Sequence, residues 1–211
     1  TMSGLIQSGK IRYWGLSNSP AWYVAQIATL ARLRGLPGPI AMQYFYSLAN
    51  RDIEDEHIPV AREFGLGLIP WSPLAYGMLT GKYDRQTVEA SGPVAGGSLP
   101  SDTGDTEEAR PADDKRLDGA NPFGDTLFTE RNWQIVDTLR RIARETDQTP
   151  ARIALAWVIG QPAVTSTLMG VSTVAQVGDN LRALDLVLSG DHRSELDQVS
   201  KGEPRMLYGL F

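Results

Sequence analysis

A short apolar run followed by a helix-length segment recurs along this chain, and nothing else in the sequence restricts its fold as tightly. The runs "IRYWGLSNS", "PIAMQYFYS", "LGLIPWSP" and the shorter "TSTLMG" read as buried strands, each ending in polar or turn-forming residues. "TMSGLIQSGK" reads as a helix tail closed by Gly9. After the first strand, Asn18 or Ser19 is placed to cap the helix "AWYVAQIATLARLRG", with Pro20 at its first position. That helix carries Val24, Ile27, Ala28 and Ala31 at helical spacing and stops at Gly35. "IEDEHIPVAREFG" is the next, acidic in its first turn and closed by Gly65; Pro59 predicts an irregular start or a kink.

"RNWQIVDTLRRIARET" and "TPARIALAWVIGQP" lie between the third and fourth strands, the latter with Thr149 as cap and Pro150 in the first turn. Ser172 is expected to cap a helix that sets Val174, Val177, Leu181 and Leu184 on one face. A last helix runs from near Ser189 to about Ser200. Four strand–helix units in alternation predict an α/β fold with a parallel sheet and right-handed crossovers. The strands should be apolar on both faces, with helices on one side and a packed interior on the other. Four units make half of a (β/α)8 barrel or a small open sheet. Residues 1–211 fit one domain. Residues 84–130 break the pattern, being rich in Gly, Pro, Asp and Ser. They read as a surface loop or, because they follow the carboxyl end of a strand, as a lid over the active-site face of a barrel.

Composition removes several classes of function. The net charge of −5 offers no general basic surface to nucleic acid. With no cysteine there is no disulfide, thiolate metal site or thiol nucleophile. His57 and His192 are too few and too far apart in sequence for a metal cluster. No apolar run approaches the roughly 20 residues of a membrane helix. The opening Thr1-Met2-Ser3-Gly4 lacks a signal-peptide pattern, so the expected location is the cytoplasm.

A parallel architecture gathers the strand ends on one rim. Those ends supply Ser17-Asn18, then Gln43 followed by Tyr44 and Tyr46, then Trp71-Ser72-Pro73-Leu74, then Gly170 and Ser172. They hold amides, hydroxyls, an indole and glycines, with Lys82 nearby, but no carboxylate pair and no nucleophile–base pair. Such a set binds more readily than it breaks bonds. A flat heteroaromatic ring with a carboxamide suits it: Trp71 can stack on the ring, and Asn18 and Gln43 can each donate and accept. Leu74-Ala75-Tyr76-Gly77 lets backbone N–H groups approach a pyrophosphate, and Lys82 adds a charge. The helix beginning at Ser172 offers its N-terminus to a further phosphate. Taken singly, Asn18 is more often a helix cap, Trp71 more often core and Lys82 usually a solvated charge; four matching strand ends together point to a site.

The segments "GKIRYWGLSN", "QYFYSLANR", "IPWSPLAYGMLTGKY", "ALAWVIGQPAVTSTLMG" and "VSTVAQVGDNLRAL" occur in an order and spacing that resembles the aldo-keto reductase family over nearly the whole chain. The Trp-Ser-Pro-Leu version resembles the branch that includes potassium-channel beta subunits. The resemblance implies a (β/α)8 TIM-type barrel that binds NADPH extended and moves hydride between it and an aldehyde or ketone. It places Ser17, Asn18 and Gln43 around the nicotinamide carboxamide and Trp71 beside the ring. It places Ser72, Pro73, Leu74, Gly77 and Lys82 along the pyrophosphate. It assigns Gly170, Ser172, Gln176, Asp179 and Asn180 to the adenosine and 2′-phosphate pocket.

Two departures shape the expectation. Ser172 stands where many relatives carry Arg, which leaves NADH open as a cofactor beside NADPH. The family's catalytic Asp, Tyr, Lys and His lie upstream of the matching segment, and Tyr44, Tyr46, Lys82 and His57 do not match them. By resemblance the chain is the carboxyl-terminal half of the barrel, strands five to eight, with no catalytic residue of its own. Two other readings stand beside the reductase: a non-catalytic NADPH-binding regulatory module, and a fragment without independent activity. A half barrel leaves two strand edges open, so self-association is expected.

Overall fold

The computed structural model describes residues 1–86, 88, 94, 95, 117, 120, 121, 123 and 126–202. Three strands, β1 (Gly15–Ser17), β2 (Ala41–Phe45) and β3 (Gly67–Trp71), lie side by side in sequence order, all parallel. Their register sets Ser17 opposite Gln43 and Phe45 opposite Trp71. Helices follow the strands as the alternation predicts: α1 (Met2–Gln7) precedes β1, α2 (Ala21–Leu33) follows it, and α3 (His57–Phe64) follows β2. After β3 come α4 (Glu130–Thr146), α5 (Pro150–Ile159), α6 (Val174–Leu181) and α7 (Gly190–Ser200).

The expected fourth strand at "TSTLMG" is not a regular strand. An extended segment begins earlier, where Val164 bridges Leu68 in parallel, and it continues beside β3. The Thr165 N–H donates to the Leu68 carbonyl at 2.9 Å and the Leu168 N–H to the Pro70 carbonyl at 2.9 Å. Pro70 explains the irregularity. Leu68 and Pro70 face this neighbour, and a proline has no N–H to donate to it. The ladder loses a rung at Pro70 and resumes one residue out of step, at Leu168 instead of Thr167.

Alternation along the strands gives the sheet two unlike faces. Met42, Tyr44, Leu68 and Pro70 are buried on the helix side. There the core joins Val24 of α2 and Ala61 of α3 to Ile135, Leu139 and Ile142 of α4 and Ile153 and Trp157 of α5. Gln43, Phe45, Ile69 and Trp71, on the other face, are only half-buried. Cover on both faces, as the sequence predicts, therefore holds for one.

Capping follows the predicted residues in part. Thr149 accepts from the Arg152 N–H and Pro150 opens α5, as expected. Neither Asn18 nor Ser19 caps α2. Pro20 itself takes the cap position, because Asn18 turns left-handed (φ 49°) and its side chain is engaged elsewhere. Thr173, not Ser172, caps α6 by accepting from the Gln176 N–H. α3 starts late, after a 3-10 turn at Asp52–Glu54, so of the acidic residues Glu54 lies in that turn and Glu56 at the cap position of α3, which ends at Gly65 with φ 67°. The apolar face predicted for α6 and its extension is not core: Val174 is 88% exposed, and Val177, Leu181 and Leu184 are exposed with it. At the opposite edge Tyr13 and Trp22 are exposed too.

Most of 84–130 and all of 203–211 fall outside the described residues, so the loop-or-lid reading is untouched. Within that stretch β4 (Val94–Ala95) and β5 (Ala120–Asn121) pair in parallel. Buried Leu117 donates its N–H to the Tyr83 hydroxyl at 3.0 Å. Among the described residues no helix is long and apolar enough to cross a membrane, and no group of three His, Asp or Glu side chains could hold a metal ion.

Candidate functional site

The sheet's register assembles the first group of predicted residues. Ser17 and Gln43 are partners across the β1–β2 ladder, and the Asn18 N–H donates to the Gln43 carbonyl at 3.3 Å. The left-handed turn at Asn18 then swings its amide toward β3, where the Trp71 indole N–H donates to Oδ1 at 3.1 Å. Ser17, Asn18, Gln43 and Trp71 thus form one connected group, as the sequence predicts. With Oδ1 occupied, Asn18 has its amide nitrogen left as a donor to a ligand.

Beyond Trp71 the chain enters a tight loop with four successive features of positive φ: Ser72 (50°), Ala75 (47°), Tyr76 (56°) and Gly77 (93°). Non-glycine residues reach this region at a cost of roughly 1 kcal/mol or more each, and such strain collects at binding sites. The loop holds itself through Ala75 N–H to the Ser72 carbonyl (2.9 Å), Tyr76 N–H to Ser72 Oγ (3.1 Å) and Gly77 N–H to the Leu74 carbonyl (2.9 Å). The expectation that these N–H groups face a pyrophosphate is corrected accordingly: the loop's own acceptors take them. The cation remains. A Cβ on Gly77 would meet Lys82 Cε at 3.0 Å and Nζ at 3.2 Å, so glycine is what lets the lysine head lie along the loop. Lys82 Nζ also sits 5.4 Å from the Tyr83 ring centroid.

The second group of predicted residues comes from the far end of the chain. A cavity of about 620 Å³ is lined on one side by Trp71, Ser72, Pro73, Leu74, Gly77 and Lys82, and on the other by Gly170, Ser172, Gln176, Asp179 and Asn180. Ser17, Asn18 and Gln43 are not in that lining; they join it through the indole of Trp71. The α6 end is held by side chains. Gln176 Oε1 accepts from the Ser172 N–H at 2.7 Å, so this amide is occupied and is not an open anion site. Asp179 pairs with Arg152 through Oδ1 and accepts from the Thr149 hydroxyl through Oδ2 at 3.3 Å. Its charge therefore ties α6 to α5.

Several lining residues were missed. Leu155 and Ala151 of α5, and Leu168 and Met169 of the irregular segment, add apolar wall. Phe45 stacks on Trp71 (centroids 4.9 Å, 21° between planes). Tyr76 meets both edge-on, and Phe123 packs on Tyr76 at 4.4 Å. Strand alternation places Phe45 beside Trp71 and could have found it. Tyr76 is expected only for its backbone, and the left-handed turn that aims its ring is marked by no periodicity; Phe123 is remote in sequence.

The cavity has an aromatic side chain and a lysine on one wall and a polar helix end on the other, and it has the size of small-ligand sites. A match to the aldo/keto reductase family covers residues 1–201. Similar proteins include "Uncharacterized oxidoreductase YrpG" of Bacillus subtilis, 30% identical over 93% of this chain and 51% of the relative. "Protein tas" of Escherichia coli is 34% identical over 92% and 49%. "Probable voltage-gated potassium channel subunit beta" of Oryza sativa is 32% identical over 97% and 57%. The chain spans about half the length of the curated relatives it matches. A match over residues 1–201 shows that the chain belongs to the aldo/keto reductase family.

Proposed function

We propose that this chain is the cofactor-holding part of an NADPH-dependent aldo-keto reductase, with NADH as an alternative ligand, acting on a small aldehyde or ketone. One observation carries the reading: residues singled out by motif in two distant stretches, 71–82 and 170–180, wall the same cavity. The bound cofactor would supply the hydride. The chain's own residues would bind and orient it. Trp71 would pack beside the nicotinamide, with Asn18 and Gln43 at its carboxamide and Ser17 alongside. Ser72, Pro73, Leu74 and Gly77 would wall the path of the pyrophosphate by shape, since the Ala75, Tyr76 and Gly77 N–H groups are taken within the loop, and Lys82 would supply the counter-charge. Gly170, Ser172, Gln176, Asp179 and Asn180 would surround the adenosine. No proton-transfer role is assigned to Tyr44, Tyr46, His57 or Lys82. In a complete (β/α)8 barrel, β1 to β3 and the segment from Val164 would be four of the eight strand positions.

Titration with NADPH should quench tryptophan fluorescence saturably, and Trp71→Ala should lose most of that quench. Equal quench in the variant would remove Trp71 from the site. The likeness to relatives named as channel beta subunits supports a second reading, in which the same cofactor site serves regulation of a partner. A purified protein that binds NADPH tightly yet turns over no carbonyl substrate would favour it.

Self-association, a cytoplasmic location and absence of nucleic-acid binding belong to the same proposal. The exposed apolar residues beside both sheet edges, Tyr13 and Trp22 at one and Val174 and Leu184 at the other, support association of the isolated chain. Light scattering should read a dimer or larger species, and a monodisperse monomer would contradict it.

A further inference from the structure

Tyr44 and His57 have no part in the site described so far, yet both close on a single atom beside it. The Tyr44 hydroxyl donates to the Ser19 carbonyl at 2.7 Å, and His57 Nε2 lies 3.0 Å from the same oxygen. Their rings are in contact, with centroids 4.6 Å apart. Tyr44 is on the helix side of β2, 4% exposed, and does not line the cavity. Facing a carbonyl, His57 must carry its proton on Nε2 to make the contact. Its Nδ1 is buried without a partner among the described residues, so the bond to Ser19 is the ring's polar anchor.

Ser19 directly follows Asn18, and the turn there needs support. Asn18 has φ 49° and directly follows a strand of three residues at the sheet edge. The residue after Ser19 is Pro20, which has no N–H to tie the turn down, and α2 begins without a side-chain cap. We propose that Tyr44 and His57 are positioning residues: by gripping the Ser19 carbonyl from the helix side, they hold the Asn18 amide against the Trp71 indole and so set the nicotinamide end of the site. The inference rests on the dinucleotide reading above. A purely structural pair would stabilise the core generally; a clamp acts on one end of the ligand.

The test uses the full chain and two probes, NADPH and 2′-phospho-ADP-ribose, which lacks the nicotinamide. Tyr44→Phe and His57→Leu should each weaken NADPH binding roughly fivefold, as expected for loss of one hydrogen bond. Binding of 2′-phospho-ADP-ribose should be unchanged. His57→Gln, whose amide can still donate, should restore most of the loss. In the ligand-free chain the Trp71 indole N–H, assigned with Trp71→Phe, should exchange roughly fivefold faster in Tyr44→Phe and His57→Leu. Equal weakening of both probes, or unchanged NADPH affinity with unchanged indole exchange, would overturn the clamp. If the unmodified chain binds neither probe while the variants still speed indole exchange, the dinucleotide reading falls and the clamp on the turn stands.

Discussion

The two ends of the cavity are built in different ways. At the Trp71 end, backbone does most of the work: the β1–β2 ladder sets Ser17 on Gln43, and one indole hydrogen bond draws in Asn18. At the α6 end, side chains hold the wall: Thr173 and Gln176 close the helix start, and Arg152 with Thr149 grips Asp179. Polar groups at the first end retain bonding capacity for a ligand. At the second they are largely engaged by the protein itself. A ligand there would meet shape and neutral polarity more than free charge.

The sharpest way to break this contrast is Arg152→Ala. The Arg152 side chain is 12% exposed and that of Asp179 is 35% exposed, so removal leaves a half-buried carboxylate without its partner. The expected loss is about 2 kcal/mol, a fall of roughly 5 °C in Tm for a chain of this size. NADPH affinity should fall at the same time, while the Trp71 indole environment stays as it was. A variant that melts normally would mean that the ion pair does not hold α6 to α5. Ser172→Arg is the milder probe. It adds a cation to a wall that otherwise offers the Ser172 hydroxyl, the Gln176 and Asn180 amides and an Asp179 carboxylate already paired with Arg152, so NADPH should gain about tenfold over NADH. An unchanged ratio would place the 2′-phosphate elsewhere.

The strand-borne end was legible in the sequence because strands announce themselves by period, and a parallel sheet must bring their ends together. That logic put Ser17, Asn18, Gln43 and Trp71 in one neighbourhood without any pairwise contact being known. The α6 end was less legible. Gln176, Asp179 and Asn180 came from the family resemblance, and nothing in their spacing discloses that Arg152, 27 residues earlier in the chain, would claim Asp179. Ser172 was misread as the cap because Ser and Thr are equivalent cap residues and the two are adjacent. The irregular fourth strand had its cause in plain view at Pro70. Its effect depended on which neighbour Pro70 faced, and that is a matter of register.

Hydrogen exchange with and without NADPH tests the central claim most directly, because it asks whether the two ends form one site. Cofactor should slow exchange in 71–83 and in 168–180 together, at the same half-saturating concentration. Protection of only one stretch, or of neither, would contradict a single dinucleotide site spanning both.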